Sequence, residues 1–222
     1  MLHLGSIGKT SIDVDFSFFI LLFFFIAYGY DPGRPIQYAL IWIPVVFISV
    51  LIHELSHAAA IALLGFGASH IVLGGMGGVT MNSRKARPWQ DLLISVAGPL
   101  SNFVLMFACY QLASRFSVFS RDRMLVELIP RLMSANLWWG IFNLIPVPPL
   151  DGGHATREFF RIFLSERIAF MVAIWIAIVV GTGVVLLGLK TQNYFIAIYL
   201  GWFVYVAWQQ WRYFRQHGVP GD

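Results

Sequence analysis

His53, Glu54 and His57 stand together in Ile52-His53-Glu54-Leu55-Ser56-His57, a grouping that suits a metal ion and a proton acceptor. The two histidines are four residues apart, so on a helix both imidazoles leave the same face and can reach one ion. Glu54 lies one residue along, where a carboxylate can take a proton from water activated by that ion. Two histidines are too few for a catalytic zinc site, which takes three protein ligands and keeps one position open. With one cysteine, Cys109, the chain can build neither an internal disulfide nor a cysteine-based zinc site, so the remaining ligand must be carboxylate or imidazole. The groups in or near apolar segments are His70, Asp91, Asp151, His154 and Glu158. Asp151 is preferred, because Pro146, Pro148 and Pro149 break the helix before it and Gly152-Gly153 let backbone approach a neighbouring helix closely. His154 is its nearest rival, whereas Asp91 better fits the first turn of a helix, where a carboxylate meets the positive end of the dipole.

These groups sit in an unusually apolar chain. Of 222 residues, 58% are hydrophobic and 12% charged, with a mean hydropathy of +0.72. A soluble domain carries about twice that charge, so the composition reads as an integral membrane protein. The 20 phenylalanines and 8 tryptophans suit lipid-facing surfaces and interfacial belts. The net charge of +4 sits mostly in connecting segments, where it answers anionic lipid and gives no sign of nucleic acid. No small-residue cleavage pattern follows the first apolar run, so a cleavable signal peptide is not expected.

The positioning elements are expected to be about six transmembrane helices in one membrane-embedded, all-α domain over residues 1–222. Phe16 to Tyr28, with a few residues on each side, supplies the first, and about Tyr38 to Leu64 the second, which carries the histidines and ends at Gly65 and Gly67. Ser69 to Asn82 is too glycine-rich for a helix; Ile71-Val72-Leu73 and Val79-Thr80-Met81 read as short extended or re-entrant pieces around a turn. Arg84, Lys85 and Arg87 follow as a basic cluster. The third helix starts at Pro88, with Ser95, Gly98 and Asn102 on one small, polar face. A fourth element from Leu128 places Asn136, Gly140 and Asn143 on a common face, and an amphipathic interfacial helix follows from His154. Two further helices fill residues 168–211. Allocating the 15 basic residues to alternate sides of six spans puts nine beside the N-terminus and six opposite, which predicts cytoplasmic termini and a site toward the cytoplasmic side.

Three motifs in this order carry a family likeness: His53-Glu54-Leu55-Ser56-His57, Ala97-Gly98-Pro99-Leu100-Ser101-Asn102, and Asn143-Leu144-Ile145-Pro146-Val147-Pro148-Pro149-Leu150-Asp151-Gly152. Together they resemble the signatures of the site-2 proteases, intramembrane zinc metalloproteases of peptidase family M50, over a catalytic core of about residues 38–160. The resemblance implies one Zn2+ held by His53, His57 and Asp151, with Glu54 as general base. It also implies regulated proteolysis of a membrane-anchored protein in or near its transmembrane helix, in a prokaryotic cell membrane. The chain looks like a compact form without attached sensory domains, so control by a partner membrane protein is expected.

Within that reading, Asn143 is the expected donor to the oxyanion, and Asn102 is expected to orient substrate or brace Asp151, or else to make a packing hydrogen bond between helices. Ser95, Asn102, Asn136 and Asn143 would line a water path, and the Ile71 to Met81 segment would hold an unwound substrate by strand addition. Two non-proteolytic readings stay open: a metal-binding transporter, since transporters place ion ligands at broken helices, and a scaffold for transmembrane clients.

Overall fold

A computed structural model describes residues 1–83, 86–115 and 123–217. Arg84 and Lys85 of the basic cluster, and Arg121 of the charge count, lie outside the described residues. The chain runs β1 (Leu2–Ile7), β2 (Thr10–Val14), α1 (Ser17–Tyr28), α2 (Gln37–Leu40), α3 (Trp42–Leu63), β3 (His70–Gly74) and β4 (Gly77–Met81). It continues as α4 (Pro88–Arg115), α5 (Arg123–Asn143), α6 (Asp151–Arg161), α7 (Glu166–Lys190) and α8 (Tyr194–His217).

The expectation of six spans is corrected to three. Among the described residues, the helices long and apolar enough to cross a membrane are Gln37–Leu63, Pro88–Ser114 and Glu166–Lys190. The other three candidates fail for separate reasons. α1 has 12 residues, about 18 Å of helix against a hydrocarbon core of about 30 Å. Its start is fixed by the Asp15 carboxylate, which accepts from Ser17 N at 3.0 Å and Ser17 Oγ at 2.6 Å. α5 opens with charge: Glu127 pairs with Arg34 at 2.5 Å and with Arg131 at 3.0 Å. In α8, tyrosines, tryptophans, Gln209, Gln210 and Arg212 dilute the apolar residues. The allocation of basic residues to sides presupposed six crossings and no longer follows.

The chain divides into two compact units, Met1–Lys85 with Ala97–Gly140, and Ala86–Val96 with Ile141–Asp222. In the first, four strands form a sheet in the order β1-β2-β3-β4. Only the β3–β4 pair was legible as extended chain; β1 and β2 add two strands ahead of Phe16. β2 and β3 run parallel, with Ile12 beside Ile71 and Val14 beside Leu73. A parallel pair needs a long crossover, supplied here by α1 to α3. Alternate residues Ile12, Val14, Ile71 and Leu73 turn inward and join Phe18, Val45, Val46 and Val50 in one core. That core holds the sheet against the helix that bears the histidines. β3 returns to β4 through Gly75-Met76, and Gly77 takes a φ of +118° that favours glycine.

In the second unit, Ala169, Ala173, Ala177 and Gly181 recur every four residues on the buried face of α7. Small residues at that period permit close helix approach. A Cβ at Gly181 would lie 3.1 Å from Val147 Cγ2. Val147, Leu150, Ala177, Leu200, Phe203 and Ala207 form the core there. Arg157 pairs with Glu166, while Arg161 reaches Glu158 at 2.6 Å and Glu166 at 2.5 Å. Burial outweighs that pairing at Glu158 and raises its carboxyl above the ordinary value.

Candidate metal centre

α3 is apolar nearly throughout, and its exceptions are clustered. His53, Glu54 and His57 are all buried, between 3% and 6% exposed. The two imidazoles meet edge to face with Nε2 atoms 3.1 Å apart. Two nitrogens bound tetrahedrally to one zinc ion stand about 3.3 Å apart, so the pair is already spaced as ligands.

α4 shapes the space in front of them. A Cβ at Gly98 would fall 2.6 Å from His53 Nε2 and closer still to His57 Nε2. Glycine therefore keeps open the volume that an ion between the rings would need. One turn later on the same face, Asn102 Oδ1 lies 2.6 Å from His53 Nδ1. One end of the Ala97–Asn102 motif thus clears space and the other fixes a ring.

Glu54 leaves the helix toward the sheet. Thr80 Oγ1 on β4 donates to Glu54 Oε2 at 2.7 Å and lies 3.1 Å from the Glu54 carbonyl oxygen. At Gly78 a Cβ would stand 2.5 Å from Glu54 Cδ and Oε1, so this strand closes on the carboxylate only without a side chain there. Sequence reading missed Thr80, because nothing in the spacing brings β4 to α3.

Asp151 opens α6, after Leu150 in extended conformation with φ −65° and ψ 155°. The close approach allowed by Gly152 and Gly153 is to the preceding turn rather than to a neighbouring helix. Cβ atoms there would lie 2.5 Å from Ile145 O and 2.6 Å from the Val147 carbonyl carbon. Ligand-capable atoms of His53, His57 and Asp151 all lie within 4.8 Å of one another, the one such group of His, Cys, Asp and Glu among the described residues. Two neutral imidazoles and one carboxylate are a donor set that zinc accepts, and the burial of both rings leaves little competing water.

The competing candidates are engaged elsewhere or turned outward. His70 Nε2 pairs with Asp13 Oδ2 at 2.8 Å, and His3 Nδ1 with Asp13 Oδ1 at 2.7 Å. Those bonds, from His3 first, hold the Asp13 carboxyl below its ordinary value. Asp91 lies in the first turn of α4, Glu158 pairs with Arg161 and His154 is exposed. Asn143 is the last residue of α5 and half-buried. Asn102 and Asn136, read as water-path lining, are both 0% exposed and bond to each other.

Residues 18–147 match the family model described as Peptidase M50B-like, and residues 120–187 match Peptidase family M50. A zinc metalloprotease of Methanocaldococcus jannaschii is 29% identical over 204 residues, covering 90% of this chain and 57% of that protein. Stage IV sporulation protein FB of Bacillus subtilis is 32% identical over 126 residues, covering 56% of this chain and 40% of its own length. The chain thus spans about half the length of these curated relatives. The solved site-2 protease from Methanocaldococcus jannaschii shares the fold at a TM-score of 0.65 and 23% identity, covering 100% of this chain and 96% of that one.

Proposed function

The chain belongs to the M50B-like peptidase family, and from that membership we propose that it is a zinc-dependent endopeptidase acting on membrane-anchored proteins, in or beside a transmembrane helix. The observation that carries this reading is the group formed by His53 and His57 on α3 with Asp151 at the start of α6, with Glu54 buried beside the histidines. One zinc ion, when bound, would make a water acidic enough to lose a proton near neutral pH and would polarise the scissile carbonyl.

The chain's own residues divide the rest of the work. His53 and His57 present neutral nitrogens, and Asp151 adds a negative charge that offsets part of the ion's. Glu54 accepts the proton of the attacking water and returns it to the leaving amine. Thr80 donates to Glu54 and restricts the carboxylate to one orientation. Asn143 donates its amide hydrogens to the developing oxyanion, a role that needs a dipole and no net charge. Asn102 acts through His53, which makes it a positioning residue.

A helical substrate hides its peptide groups and must unwind before attack. β4 is the last strand of the sheet, so its second edge can pair with an unwound segment close to Glu54. The test is reconstitution in lipid with a panel of single-span substrates. Cleavage that a chelator abolishes and zinc restores, and that His57→Ala and Asp151→Ala lose together with bound zinc, is the expected result. Zinc-independent cleavage, or metal flux without any cleavage, would overturn the proposal.

A further inference from the structure

The hydrogen bonds behind His53 have a direction, which can be read from backbone carbonyls that only accept. Asn136 Nδ2 lies 2.8 Å from Leu132 O, so this side of the Asn136 amide is its NH2. Its oxygen therefore faces Asn102 Nδ2, 2.7 Å away. Asn102 Nδ2 also reaches the carbonyl of Ser49 at 3.3 Å, which gives the same orientation independently. Asn102 Oδ1 is then left facing His53 Nδ1 at 2.6 Å, where it accepts, so the ring carries its proton on Nδ1. The lone pair of a neutral ring with that proton sits on Nε2, the nitrogen in front of which Gly98 leaves space.

Ser49 closes the network. Its hydroxyl donates to Val45 O at 2.7 Å and accepts the second hydrogen of Asn136 Nδ2 at 2.9 Å. Both hydrogens of each amide are thereby used, and so are both amide oxygens. Ser49, Asn102 and Asn136 are 0–1% exposed, so water does not compete for these groups. Flipping either amide would set an oxygen against a carbonyl oxygen.

We propose that Asn136 and Ser49 are positioning residues that act through Asn102 to hold His53 in the Nδ1–H tautomer, keeping its Nε2 lone pair available to the metal. Neither touches a ligand atom of the ion. The proposal rests on the reading of His53 as a metal ligand, and it deepens that reading by assigning the residues that prepare the ligand before metal arrives.

The experiment is nitrogen-15 NMR of metal-free, histidine-labelled protein in detergent, with His53→Ala to assign the resonance, alongside titration with Co2+. Wild type should show His53 as the Nδ1–H tautomer. Asn136→Leu removes the acceptor for Asn102 and should give a mixture of tautomers and about tenfold weaker Co2+ binding, as loss of an outer-shell partner does elsewhere. Asn136→Asp keeps that acceptor and should restore the wild-type tautomer. An Nε2–H tautomer in wild type overturns the proposal, as does a folded Asn136→Leu protein with unchanged tautomer and affinity. Should Asn136→Leu fail to fold, Ser49→Ala decides: weaker Co2+ binding supports the network and unaltered binding overturns it. Wild type that binds no Co2+ refutes the metal reading itself, whereas the tautomer of metal-free protein judges the network separately.

Discussion

The Thr80 hydroxyl on strand β4 donates to the Glu54 carboxylate on helix α3 at 2.7 Å. This bond joins the sheet, where the proposed substrate strand would pair, to the group proposed to move the proton. Thr80→Val keeps the shape and deletes the donor, at a cost of about 1.5–3 kcal/mol for a bond to a charged group. Turnover should fall about ten- to a hundredfold, with KM and zinc content unchanged and with Thr80→Ser close to wild type. Steady-state cleavage of a single-span substrate in lipid, with metal analysis of each variant, reads all three.

Gly98 sets a steric condition on metal binding. A Cβ there would intrude on both imidazoles, including His53 Nε2 at 2.6 Å. Gly98→Ala should lower the zinc content of purified protein well below one ion per chain while the protein stays helical. Gly183→Ala on α7, where a Cβ meets nothing within 4 Å, is the matched control and should keep its zinc.

Asp13 ties three strands together through His3 on β1 and His70 on β3. Its carboxyl titrates below the ordinary value of 3.8 in the folded protein. A folded-state value below the unfolded one stabilises the fold above the unfolded value, and that contribution disappears as pH falls through the folded one. The pairs are solvent-exposed, so the effect is small. Asp13→Asn should lower the thermal midpoint near neutral pH by about 1–2 °C and flatten its decline below pH 3.8.

Three spans rather than six make a topological prediction about α1. Lys9 and Gly33 flank this helix, and both are exposed. Lys9→Cys and Gly33→Cys, each in a Cys109→Ala background, should react with a membrane-impermeant thiol reagent from the same side. Labelling from opposite sides would show that α1 crosses.

The site was far more legible in the sequence than the fold around it. Two histidines four apart with a glutamate between them, an Ala-Gly-Pro-x-x-Asn run and a proline-broken Asp-Gly are local patterns, and metal chemistry constrains residue type and spacing tightly. β3 and β4 were legible because glycine split two apolar triplets. β1 and β2 were not, since β2 pairs with a strand more than fifty residues away and carries few apolar residues of its own. At α1 the span count failed because the few residues it needed on each side are not helical. Phe16 to Tyr28 is as apolar as a span, yet the Asp15–Ser17 bonds and Gly29 stop the helix at 12 residues. Ser49 was readable in principle, as a lone polar residue one turn before His53 on an apolar helix; its tie to Asn136 on α5 was not, because the partner is set by packing.

The most direct test of the central claim compares wild type with Glu54→Gln in lipid at equal zinc occupancy. We expect wild type to cut a single-span substrate within or beside its transmembrane helix, and Glu54→Gln to retain zinc while losing cleavage by at least about a hundredfold. Full cleavage by zinc-loaded Glu54→Gln would contradict the account.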